Sequence, residues 1–378
     1  MAPRTPSQSL RRGLLASAVA LGLGVVTTPS CSTPFDPPNK IQALRVLSVE
    51  IDALALDTED VDGDGERDDT IPVGSYVQPG ESVRLKMQYY DGRTDLEDRE
   101  AIQITWIGGC FNPEGDSYFN CYEPLGRLFQ QVAAGEVEAT EFALQGQGLD
   151  TFELKVPEDL LESREEPAYG PKLATAFVFF AACAGELRPV EDAGDTEAGA
   201  FPFGCFDAAG NRLGPDAFVP GYTVLYAYED ERRNATPVVN GFLFDGEELS
   251  EGDAASVERC DISEEERARA GCAATDEFTE CTTYEIDVII PSDVAERDPD
   301  SESAEGEPLD EVVWVNYYAE AGDFEGSVRL VNDAAEGYQE EHATVWVPPD
   351  EPGRYALWAI VRDSRGGSRT VQRFVDVE

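Results

Sequence analysis

The chain has 378 residues, with 76 Asp and Glu against 28 Lys and Arg and a formal net charge of -48. That field excludes nucleic acid, whose phosphates need clustered cations, and it disfavours an anionic membrane surface. An apolar content of 42 %, with 18 Phe, 14 Tyr and 4 Trp, excludes a chain that stays disordered, and the single histidine, His342, removes every mechanism that needs two imidazoles.

Residues 1 to 12 carry Arg4, Arg11 and Arg12 and no acid, and an apolar run from Gly13 to Val26 follows. The run is short of the ~20 residues a spanning helix needs, and the layout is that of a secretory signal. Thr28-Pro29-Ser30-Cys31-Ser32 comes next. This segment resembles the cleavage region of bacterial lipoprotein signals, with Thr28 at a position where such signals usually carry Leu. The resemblance implies cleavage before Cys31, acylation of its thiol and new amino group, and, from Ser32, sorting to the outer membrane or cell surface. The expected organisation is a signal peptide over 1–30 and a proline-rich tether over 31–39, with Pro34, Pro37 and Pro38 as stiffeners. The membrane is then a partner through the lipid. The competing reading is an ordinary secreted protein.

Asp60-Val61-Asp62-Gly63-Asp64-Gly65-Glu66-Arg67-Asp68 places alternate carboxylates on a tightly wound loop, and Gly65 allows the turn that brings the Glu66 carbonyl inward. It resembles the DxDxDG loops of calcium-binding proteins. The resemblance implies calcium as a cofactor, held by Asp60, Asp62, Asp64, Asp68 and the carbonyl of Glu66. Ile71 stands where an EF-hand carries its bidentate Glu. The bland alternative is a solvated Asp/Gly turn.

Beyond residue 40 the dominant pattern is period-two alternation in short segments, which predicts strands. Val83, Leu85, Met87 and Tyr89 form one apolar face; Ile102, Ile104 and Trp106, then Phe152, Leu154 and Val156, form others. Ala176 to Cys183 is apolar on both parities, as a strand covered on both faces would be, and Tyr222 to Tyr228 closes the series. Asn234-Ala235-Thr236-Pro237 reads as a linker. A second series runs through Val238 to Phe244, Tyr284 to Ile290, Val312 to Tyr318, Val328 to Val331, Ala343 to Val347, Tyr355 to Val361 and Thr370 to Val377. Helical signals are minor: a capping box from Ser263 to Glu266, and Pro157 to Arg164.

Short alternating strands without intervening helices predict an all-β protein of antiparallel sandwiches. Pro352-Gly353-Arg354-Tyr355-Ala356-Leu357 resembles the start of strand F in immunoglobulin-like domains, where a Tyr hydroxyl turns back onto upstream backbone. Trp106 and Trp314 sit mid-strand in the third strand of each series, where such domains bury a Trp. The whole resembles the tandem immunoglobulin-like modules of bacterial surface lipoproteins, with Leu357 in place of the inter-sheet Cys. It implies one sandwich over 40–232 with long loop insertions and another over 233–378.

Eight Cys in an exported chain read as disulfides. Cys110 and Cys121 follow the third strand, and Cys183 and Cys205 follow the strand-F candidate. Both insertions are expected at one pole. Local pairing, Cys110 with Cys121 and Cys183 with Cys205, is the first choice, and cross-pairing between the two loops is compatible with the same placement. Cys260, Cys272 and Cys281 share one loop and leave an odd thiol. His342 is expected on an exposed face. No nucleophile, phosphate-loop or dinucleotide motif occurs. The expected function is a non-enzymatic, membrane-anchored surface lipoprotein whose modules bind, adhere or act as spacers toward a protein or glycan partner. The alternative is a secreted hydrolase, or an accessory domain of a carbohydrate-active enzyme, using loop carboxylates.

Overall fold

Alternation in the sequence becomes strands almost throughout the computed structural model, which describes residues 39–54, 70–93, 101–138, 142–189, 203–269, 281–303 and 306–378. The first half contributes β1 (Leu44–Leu54), β2 (Thr70–Pro72), β3 (Ser82–Asp91), β4 (Gln103–Phe111), helix α1 (Tyr122–Ala133), β5 (Ala143–Gln147), β6 (Thr151–Lys155) and β7 (Leu173–Cys183). It ends with β8 (Glu186–Pro189), β9 (Phe203–Phe206) and β10 (Phe218–Tyr228). Its sheets run β2-β1-β3-β6 and β10-β7-β4-β5. This is an immunoglobulin-like sandwich, with strands A, B and E facing C′, C, F and G.

The second half repeats the plan. Its first strands are β11 (Gly241–Phe244), β12 (Glu247–Glu248) and β13 (Ala254–Val257), followed by α2 (Glu264–Arg269), β14 (Tyr284–Ile289), β15 (Arg297–Glu302) and β16 (Pro308–Asp310). Then come β17 (Val313–Ala319), β18 (Asp323–Phe324), β19 (Val328–Asp333), β20 (Gly337–Tyr338), β21 (Thr344–Val347), β22 (Gly353–Asp363) and β23 (Ser368–Val377). The sheets run β12-β11-β14-β21-β18 and β13-β23-β22-β17-β19-β20. Tyr355 makes the turn expected at the start of strand F, its hydroxyl donating to the Glu351 carbonyl at 3.1 Å.

Each sandwich closes over its own apolar core. In the first, Trp106 is fully buried, stacked on Phe152 at 5.9 Å, and its indole N–H donates to the Leu149 carbonyl at 2.9 Å. Trp314 does not repeat this role. It lies on the outer face of β17, between the buried Val313 and Val315, and Tyr317 and Trp346 fill the second core. Pro157 to Arg164 forms successive i→i+3 turns, not a helix. Ser263 does cap α2: its Oγ accepts the Glu266 amide at 3.2 Å, and the same hydroxyl donates to the Glu266 carboxylate at 3.2 Å.

A further apolar layer joins the sandwiches, which belong to one compact unit. A bulge between Val46 and Ser48 breaks the β1 register, and Leu47, Ile41 and Tyr90 pack against Ala356, Trp358 and Ile360 of β22. Bulges re-aim side chains in this way. Tyr90 meets Trp358 edge-on at 4.5 Å. Polar pairs border the layer, among them Ser48 with Thr370 at 2.8 Å and the Thr370 amide donating to Glu50 at 2.9 Å. Among the described residues no helix is long and apolar enough to cross a membrane.

Candidate functional site

Strand β10 alternates strictly. Leu225 and Ala227 enter the core, and Tyr222, Val224, Tyr226 and Tyr228 stand on the opposite face. The segment around Ser75 runs along the β10 edge: the Tyr226 amide donates to the Ser75 carbonyl at 2.7 Å and the Val77 amide to the Tyr226 carbonyl at 2.9 Å. Across from it comes the β22–β23 turn of the second sandwich, whose Gly366 carbonyl accepts from Ser75 Oγ at 3.3 Å. Gly366 holds φ at +96°, and a Cβ there would sit 2.3 Å from Ser75 Oγ, so only glycine allows this approach.

The result is a groove of about 560 Å³ whose walls come from both sandwiches. Four tyrosines line it (Tyr76, Tyr222, Tyr226 and Tyr228), together with small hydroxyls and Arg365, and no carboxylate does. Tyr76 packs on Tyr228 at 5.1 Å and edge-on to Tyr226 at 6.3 Å. Burial, then the bond to the Tyr228 hydroxyl, pushes the Tyr76 phenol well above its ordinary range; burial first also raises Tyr226. Both stay neutral donors. Tyr222, 44 % exposed, extends the aromatic surface by stacking on Tyr118 at 4.7 Å, next to the exposed Phe119.

Beneath the groove lies a charged junction. Arg365 donates to Glu311 at 2.7 Å and to Glu296, and its guanidinium sits 5.7 Å from the Tyr76 ring centre. Glu311 has no exposed side-chain surface. Burial pushes its carboxyl up to about 7, against the pull of Arg365 and the Glu296 amide, with Asp363 reinforcing the rise. Burial also raises Asp363, although the Gly367 and Arg365 amides and Asn234 all donate to it. The segment read as a linker is clamped here: Asn234 is 1 % exposed, and Thr236 Oγ1 accepts the Gly74 amide at 3.1 Å.

His342 is buried, not exposed, because β21 begins only at Thr344 and the residues before it fold inward. Its Nδ1 lies 2.6 Å from Asp287 Oδ1, its Nε2 3.0 Å from the Tyr338 hydroxyl, and its carbonyl accepts from the Tyr317 hydroxyl at 3.0 Å. Both ring nitrogens serve internal partners, and burial first raises the Tyr317 and Tyr338 phenols. Among the described residues no group of three or more His, Cys, Asp or Glu could hold a metal ion.

Cys110 is bonded to Cys121, Cys183 to Cys205, and Cys260 to Cys281. The two loops of the first sandwich do not share a pole. β4 and β7 are antiparallel, pairing Gln103 with Cys183 and Phe111 with Ala176, so the strands end at opposite poles. Cross-pairing between the loops is thereby excluded. The insertion after β4 also contains α1, whose Tyr122, Leu125 and Leu128 pack toward Phe177 and Phe179. Cys31, Cys272 and the calcium-loop residues Asp60, Asp62, Asp64, Glu66 and Asp68 lie outside the described residues.

No protein family and no curated protein matches this chain. Among solved structures it is similar to dimeric latent PorU from Porphyromonas gingivalis, at 10 % identity and a TM-score of 0.18, covering 88 % of this chain and 24 % of that one. It is similar to fibronectin(III)-like modules of CbhA from Clostridium thermocellum at 8 % identity and a TM-score of 0.18, covering 81 % of this chain and 90 % of that one. The C-terminal domain of the AgI/II polypeptide BspA from Streptococcus agalactiae gives 9 % identity and a TM-score of 0.18, covering 87 % and 99 %. The fold assignment rests on the strand orders above.

Proposed function

We propose that this chain is a non-catalytic surface lipoprotein whose paired sandwiches present a ligand-binding groove. The supporting observation is the groove itself: about 560 Å³, tyrosine-lined, with no carboxylate in its lining, and built where two sandwiches meet, a usual location for binding sites. The one imidazole is tied up inside the second sandwich, which weighs against a hydrolytic role for it. The contact surface is this junction, not one disulfide-tied pole. Lipidation at Cys31 anchors the chain at the outer membrane or cell surface, and calcium is bound by Asp60, Asp62, Asp64, Asp68 and the Glu66 carbonyl. These last two assignments rest on the sequence.

Hydroxyl-radical footprinting of the full chain, with and without a glycan extract of the cell envelope, tests the groove. Tyr222, Tyr226 and Tyr228 should be protected relative to Tyr169, which is 94 % exposed and not part of the groove lining. Equal labelling with and without extract would remove the reading. Labelled palmitate should enter the wild type and not Cys31→Ser, and calorimetry at millimolar calcium should show heat that is lost with Asp62→Asn; an unlabelled wild type or a flat trace discards the respective assignment.

A further inference from the structure

We propose that the groove binds a neutral oligosaccharide laid along β10. This rests on the groove being the binding surface, and it names the ligand class from the chemistry of the walls.

An anion has no cation to meet. Arg365 is engaged by Glu311 and Glu296, and its remaining nitrogen reaches the Arg233 carbonyl at 3.5 Å; nearby Arg232 is held by Asp230 and Asp300. The chain's field of -48 repels anions besides. A purely apolar ligand would cover the phenols of Tyr222 and Tyr226 and the small hydroxyls of the lining without replacing their bonds to water. A cation is drawn by the chain's field and meets aromatic faces, but no carboxylate lines the walls, and the acids close enough to raise the Tyr76 and Tyr226 phenols, Asp298 and Asp116, are held by Ser301 and the Asp300 amide and by Thr175 and Arg164. A pyranose satisfies both kinds of surface, since its C–H face carries the partial positive charge that an aromatic face attracts, and its hydroxyls pair with the lining phenols, which are neutral donors at ordinary pH.

Spacing selects an oligomer over a single ring. Tyr222 and Tyr226 are four residues apart on an extended strand, ~13 Å, and Tyr228 lies ~7 Å further on. Stacking on Tyr118 carries the aromatic track beyond the groove mouth. The ligand is therefore a linear chain of several sugars bound against the strand's outer face.

Saturation-transfer NMR on the full chain, with tyrosine-ring labels, should be run with cellohexaose, mannohexaose and N-acetylchitohexaose, with hexagalacturonate as the anionic probe and tetramethylammonium as the cationic one. At least one neutral hexasaccharide should receive saturation and shift the rings of Tyr222, Tyr226 and Tyr228. Tyr222→Ala and Tyr228→Ala should each weaken it about tenfold. Tyr222 is half exposed, so Tyr222→Ala decides the matter should Tyr228→Ala not fold. Ring shifts produced by tetramethylammonium or hexagalacturonate alone would overturn the neutral-sugar assignment and leave the groove as a binding surface. Sugar binding indifferent to Tyr222→Ala would overturn the site. No ring shift with any probe, together with equal footprints, would overturn both the ligand class and the reading beneath it.

Discussion

Glu311 has no exposed side-chain surface and shares one guanidinium with Glu296, and Asp363 stands close by. Burial is what pushes the Glu311 carboxyl up to about 7, with the Asp363 charge adding to it and Arg365 and the Glu296 amide opposing it, so the buried carboxyl holds its proton to about that pH. The ordinary value is 4.5, and the folded state thus binds more protons than the unfolded chain between about 4.5 and about 7. This contribution is fully present below the lower value and is lost as pH rises through the upper one, a swing on the order of 3 kcal/mol. Glu311→Gln mimics the protonated form. Melting compared from about pH 5 to about pH 8 should fall more steeply for the wild type than for Glu311→Gln, and parallel slopes would refute the assignment. Nothing in Glu311 as a letter announces this state, because the partners arrive from residues 234, 296, 363 and 365. His342 was hidden in the same way. Its parity predicts solvent, but the fold supplies Asp287 from β14 and Tyr338 from β20.

At the level of strands and helices, the alternation exposed most of what is present, including both strand-F candidates and the turn made by Tyr355. Two elements misled. Adjacent strands C and F run in opposite directions, so loops following each cannot meet, a constraint that the pairing register states and the linear sequence does not. Helix α1 was legible in principle: Tyr122, Leu125 and Leu128 recur at helical spacing and Pro124 lies in the first turn, but Gly126 and the surrounding cysteines made the segment resemble loop. The Cys110–Cys121 bond ties this helix to β4 across 11 residues. Its replacement by Cys110→Ser with Cys121→Ser should cost about 3 kcal/mol. Amide exchange should accelerate over Tyr122–Ala133 while Leu173–Cys183 stays protected. Unchanged exchange in the helix would mean the bond is not what holds it. Because Tyr118 sits three residues before Cys121 and stacks on Tyr222, the same variant should loosen the outer end of the aromatic track.

For the molecule as a whole, the layer around Trp358 makes two sandwiches behave as one body. β22 could have declared it: Ala356, Trp358 and Ile360 are as apolar as Leu357, Ala359 and Val361, and a strand apolar on both parities is covered on both faces. Trp358→Ala removes the central side chain of that layer and should cost about 3–5 kcal/mol. Calorimetry should show one unfolding transition for the wild type and a separation into two for the variant. Two well-resolved steps in the wild type would contradict the coupling.

The groove has one bank on β10 and the other on the β22–β23 turn. Either half of the chain produced alone would own a single bank, and an isolated module could fold well and still register as inert in every binding screen. Dissecting this protein into its immunoglobulin-like units, the customary first step for tandem repeats, would erase the property most worth measuring.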